Sequence, residues 1–227
     1  NICIKKSINP IAIINIEICC DVIINSYEFI KKQFSNEKKT YSNIRDQHML
    51  MTIIKLKDNI KNSKIIIWGH NSHIGDATST ENGGTNLSNN NTWNLGQMCR
   101  SMFQNTYIIG FGTYNGSVIA SYKWGVKEQI FILNFPLKDS IEEHIYLFCQ
   151  KRNINNCYID LHFCKNIPPF NQKKPQRTIG LTYNSINEIE HHYISSILSK
   201  QFDLYIFISY TTHLIEQKKE KSLKLIH

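Results

Sequence analysis

Apolar positions recur at helical spacing from about Asn15 to Gln33 and give way to the polar segment SNEKKTYSN, the pattern of a helix followed by a loop. From Asn43 onward Ile44, Met49, Leu50, Ile53, Ile54, Leu56 and Ile60 mark one face of a second helix, which Asn62 and Ser63 end. The pattern then changes. Lys64 to Gly69 encloses the run IIIW between turn formers, which predicts a short strand buried on both faces of a parallel sheet.

Downstream, the stretch ATSTENGGTNLSNNNT is poor in apolar residues and reads as a surface loop. A short helix is predicted over Trp93–Phe103, with strands over Tyr107–Thr113 and Ser117–Tyr122. After a connection containing Pro come a helix over Ser140–Lys151 and strands over Cys157–Phe163 and Thr178–Tyr183. A helix over Asn187–Ser199 and a strand over Leu204–Ser209 complete the alternation, and there is no internal repeat. This order implies one α/β domain across residues 1–227, a central, mainly parallel sheet flanked by helices, with a basic tail from 215.

Composition narrows the setting more than the chemistry. The 227 residues are 41% hydrophobic, enough for one sizeable core. The opening residues carry no readable signal peptide, and Asn15, Glu17 and Asp21 interrupt the Ile-rich stretch before it could span a membrane. Seven cysteines, an odd number without zinc-like spacing and with Cys19 beside Cys20, fit a reducing, cytosolic setting. A formal charge of +8 raises the question of nucleic acid, but the basic residues are scattered and Lys, Asn and Ile are over-used together; no nucleic-acid or membrane partner is expected.

The candidate chemistry sits directly after the IIIW run. The segment HNSHIGD places His70 and His73 three positions apart at the expected carboxyl end of a strand, where open α/β sheets bind ligands. An imidazole with an ordinary pKa near 6.5 can take a proton from water or return one to a leaving alkoxide, and Asp76 is positioned to orient one ring. The bland alternative is a pair of hydrogen-bonded loop histidines. No GxSxG elbow and no cysteine-nucleophile signature is present, and Cys99 reads as a small buried hydrophobe.

The longer string WGHNSHIGDATSTENG, followed by WNLGQMCRSMFQNTYIIGFGTYNGSVIAS, resembles the erythromycin esterase family, which includes succinoglycan-biosynthesis-like homologues. The likeness rests on Trp68, His70, Asn71, His73, Gly75 and Asp76, then Thr80, Glu81 and Gly83. It continues through Asn94 to Gln97 and through Gly110, Phe111, Thr113, Tyr114, Gly116 and Val118. Upstream Arg45, Asp46 and Met49, and downstream Glu188, His192, Tyr193 and Gln201–Asp203, extend it to about residues 20–214. The departures are Phe207-Ile208-Ser209 where the family has His-x-Asp, and Ser185 and Ile189 where it has Pro and Arg. The family's glycine-rich N-terminal histidine segment is not among these residues, so the chain is expected to correspond to the second half of such an enzyme.

The resemblance implies hydrolysis of a carboxylic ester or lactone, a macrolide in resistance members, by histidine-activated water. His70, His73, Glu81 and Arg45 are then the catalytic candidates, and Trp68, Asn71, Asp76, Trp93, Asn94 and Tyr114 the substrate-binding ones. For Arg45 an ion pair with Asp46 is the structural alternative. No cofactor is expected; the variant reading has His70, His73 and a carboxylate hold a divalent metal. The other functional reading is a degenerate homologue that binds a small molecule without turning it over.

Overall fold

A computed structural model describes residues 10–34, 41–60, 62–80 and 93–215. Much of the polar loop, including Glu81, lies outside the described residues, as does the basic tail from 216 onward. Two helices, α1 (Pro10–Phe34) and α2 (Tyr41–Asn59), open the fold and pack together. Lys55 joins them by reaching Asp21 at 2.5 Å. The apolar stripe of α2 does what its spacing dictates: Leu50 and Ile53 are buried against Leu95, Met98 and Cys99. No helix among the described residues is long and apolar enough to cross a membrane.

After α2 come α3 (Asn71–Ile74), a single 3-10 turn (Ala77–Ser79) and α4 (Leu95–Met102). β1 (Ile109–Ser121) and β2 (Glu128–Ile132) follow, then α5 (Ile141–Arg152), β3 (Asn156–Asp160) and β4 (Lys173–Arg177). The chain ends with α6 (Glu188–His191), β5 (Tyr193–Ile197), α7 (Leu198–Gln201) and β6 (Leu204–Thr211). The expected α/β class holds. The central sheet runs β2-β1-β6-β3 and is mixed, with β1 and β6 parallel at its centre and antiparallel pairings on either side. β4 and β5 form a separate antiparallel pair. α5 covers one sheet face, where Ile141, Ile145 and Cys149 meet Tyr205, Phe207 and Phe202 in the main core.

Four local expectations change. The IIIW run forms no ladder: Ile66 is 93% and Trp68 88% exposed, because no described element lies over the segment to bury it. The two strands expected over 107–122 are one, which passes through Gly116 at a φ of +136° that only glycine adopts without strain. The helix expected over 187–199 stops after one turn, since the β-branched Ile194 and Ile197 with Tyr193 pair with β4 instead. Residues 178–183 form no strand: a single bridge joins Thr182 to Ser121 of β1, and Tyr183 is buried against Ala120 and Phe131 of the sheet.

Candidate functional site

His70 caps the N-terminus of α3 through one ring nitrogen, and its other ring nitrogen is engaged as well. Nδ1 accepts the Ser72 backbone N–H at 3.2 Å and lies 2.8 Å from the Ser72 hydroxyl. Nε2 lies 2.7 Å from the Ile179 carbonyl, an acceptor only, so the proton resides on Nε2. Desolvation of the ring pushes its pKa down, the Ile179 carbonyl pushes back, and the charge of His73 lowers it further; the net direction is down. The residue as a whole is solvent-accessible, yet its ring is held neutral.

His73 is arranged differently. Its Nδ1 lies 3.0 and 3.3 Å from the two carboxylate oxygens of Asp46 on α2. Asp46 is 5% exposed and also accepts the Leu95 backbone N–H at 3.2 Å. A carboxylate behind Nδ1 fixes the tautomer with the proton on that nitrogen and leaves the Nε2 lone pair outward. The carboxylate that orients a histidine is thus Asp46. Asp76, expected in that role, instead caps the 3-10 turn through Thr78 and pairs with Arg100 at 3.1 Å.

Both histidines line a cavity of about 890 Å³. Its opposite wall is the Arg45, His48, Met49 and Thr52 face of α2, one turn after another at i, i+3, i+4 and i+7. Segment 179–182 closes a third side. Arg45 is exposed on this wall, and its expected partner Asp46 is taken by His73. His48 had no place in the sequence reading; it sits in the same RDQHM string as Asp46, and helical spacing from Arg45 was the available signal.

Several residues of the motif prove to be scaffolding. Asn71 donates to the Phe111 carbonyl at 2.6 Å and accepts the Phe111 N–H at 3.2 Å, pinning α3 to β1. Asn94 is 1% exposed; it caps α4 through the Gln97 N–H and donates to the carbonyls of Ser72 and Gly75. A Cβ on Gly96 would stand 1.8 Å from the Ile74 carbonyl, so the WNLGQ helix start is pressed directly onto the HNSHIG turn. Together these contacts fix where the histidines point. Tyr114 is not at the cavity: its ring stacks on Tyr146 at 3.6 Å, on the α5 side of the sheet. Trp93 is half exposed and lines neither cavity, whereas Trp68 lines both and leans on Phe111.

The profile of the family described as erythromycin esterase matches residues 7–211. The chain belongs to the erythromycin esterase family. Two solved structures agree on the fold. A Bacillus cereus protein is 18% identical with a TM-score of 0.59, covering 77% of this chain and 40% of its own. A succinoglycan biosynthesis protein is 15% identical with a TM-score of 0.61, over 90% of this chain and 52% of its own. An erythromycin esterase variant in its open conformation aligns over 75% of this chain and 38% of its own, with a TM-score of 0.49 and 15% identity. The chain therefore spans about half the length of these structures or less.

Within this erythromycin esterase fold, Glu188 and Tyr193, both part of the resemblance, gather around Arg177, which had no place in it. Arg177, 8% exposed, pairs with Glu188 at 2.8 Å and donates to the Tyr193 hydroxyl and the carbonyls of Tyr114 and Asn134. It knots β1, β4, β5 and α6 together. As for a metal, no group of three or more His, Cys, Asp or Glu side chains is close enough to hold one among the described residues. With the His70 nitrogens both engaged, the donor set does not fit a divalent ion.

Proposed function

We propose that this chain carries the general-base half of an ester hydrolase, in which His73 draws a proton from water that attacks an ester carbonyl. The observation that supports this reading is His73, held from behind by Asp46, on the wall of a cavity large enough for a small-molecule ester. Water adds to the carbonyl carbon as its proton passes to His73 Nε2, giving a tetrahedral oxyanion. The imidazolium, stabilised by Asp46, then returns that proton to the leaving alkoxide as the C–O bond breaks. Arg45, on the facing wall of the same cavity, is the cation available to the oxyanion. His70, neutral and fixed, shapes the turn and forms the floor. A macrolide lactone is the narrower substrate that the family name suggests.

Because the chain spans about half of its structural relatives, the proposal concerns the polypeptide that carries it as a whole. Turnover of p-nitrophenyl esters and a macrocyclic lactone tests it. His73→Ala should lower kcat by about a hundredfold or more, and Asp46→Asn by at least about tenfold with KM little changed. Full activity in His73→Ala overturns the reading. The route needs no metal, so a chelator should leave the rate unchanged.

A second reading, a homologue that binds without turnover, draws on the full engagement of His70. Measurable hydrolysis that depends on His73 excludes it.

A further inference from the structure

The larger cavity, about 1640 Å³, extends from the Ile65–Trp68 segment along β1 to the start of α5. Ile66, Phe111, Leu133, Ile206 and Ile208 make its walls largely apolar. Glu142 also lines it and does not belong to that chemistry. The residue is 1% exposed; its Oε1 accepts the Arg177 backbone N–H at 3.0 Å, while its Oε2 has no hydrogen-bond partner.

Its own backbone N–H and the Ser140 side chain favour the carboxylate only weakly, and no hydrogen bond reaches the second oxygen. The Arg177 guanidinium is spent on Glu188, Tyr193, Tyr114 and Asn134. The start of α5 is served by others, since Ser140 caps Glu143 and the Glu143 carboxylate accepts the Asp139 N–H at 2.6 Å. Burial pushes the Glu142 carboxyl up to about 7, against weaker help from its own N–H, Arg177 and Ser140, so it can both donate and accept near neutrality. The same cavity carries Thr113, 3.2 Å from Thr211, and Ser117, 2.9 Å from His213, as further hydroxyl-bearing positions.

We propose that Glu142 is the polar anchor of a binding site for an apolar ligand bearing hydroxyl groups, its free carboxyl oxygen pairing with a ligand hydroxyl while the aliphatic part lies on the isoleucine wall. A polar side chain kept unpaired beside a large cavity is a site awaiting a partner, because an unpaired buried oxygen is destabilising unless something answers it. The inference stands apart from ester hydrolysis.

Calorimetry with 1,2-octanediol and octyl methyl ether tests it without reading turnover. The wild-type protein should bind the diol up to about tenfold more tightly than the ether, the scale of one good hydrogen bond. Glu142→Leu should remove that preference while leaving the ether unchanged, and Glu142→Gln should retain part of it. In the unaltered protein the diol, and not the ether, should shift the titration of the 13C-labelled Glu142 carboxyl. Equal affinity for the two probes, no saturable binding of either, or an unmoved Glu142 titration overturns the proposal.

Discussion

At the scale of single residues, two kinds of titrating side chain pull stability in opposite directions with pH. His70 and His192 are held below the ordinary histidine value, in both cases chiefly by desolvation. The unfolded chain takes up their protons near pH 6.5 and the fold does not, so acidification below about 6.5 favours unfolding. His70→Asn, which keeps a capping side chain, should make the fall in Tm between pH 7 and pH 5 shallower; an unchanged slope refutes this account. Glu142 behaves inversely. The unfolded chain releases its proton around 4.5 and the fold keeps it to about 7, so its contribution is whole below 4.5 and is lost as pH rises towards 7. Glu142→Gln should remove that loss, seen as a flatter stability profile between pH 5 and 7. The histidines themselves were plain in the sequence as an HNSH string beside a strand-like run. Their partners were not, because Asp46 lies 27 positions from His73 and only tertiary packing brings it there.

Among elements, the legible ones were those whose local signals agreed. The helix expected over 140–151 is α5, with Ser140 as its cap and Asn153 closing it in the left-handed conformation. Strand β6 was read within two residues at its end. Where two tendencies competed, pairing won: Tyr193–Ile197 has a spacing a helix could use, yet β4 offers it a ladder. Gly116 lies between the two strands expected over 107–113 and 117–122 and is an interior position of β1. Its Cβ would stand 1.9 Å from the Thr211 carbonyl, at a φ that side chains avoid. Gly116→Ala should therefore cost about 2–4 kcal/mol in urea unfolding, and a loss under about 0.5 kcal/mol would show that β1 and β6 can separate there freely.

Over the molecule as a whole, the α/β layering followed from the alternation of patterns, whereas the place of the IIIW run did not. An apolar β-branched run predicts burial only if something covers both its faces, and the described residues cover the sheet from the α5 side. The amides of Ile65 to Trp68, without ladder bonds, should exchange with deuterium within seconds, far faster than those of β1 and β6; comparable protection would contradict the arrangement. The segment that holds His70 carries a further implication. Ile179, Gly180 and Leu181 border both cavities, and the Ile179 carbonyl sits on the His70 ring between them. Moving that carbonyl would free the Nε2–H of His70 and alter the shared border of both chambers in a single motion. The room left for a guest and the set of the His70 ring would then be governed by the same short length of backbone.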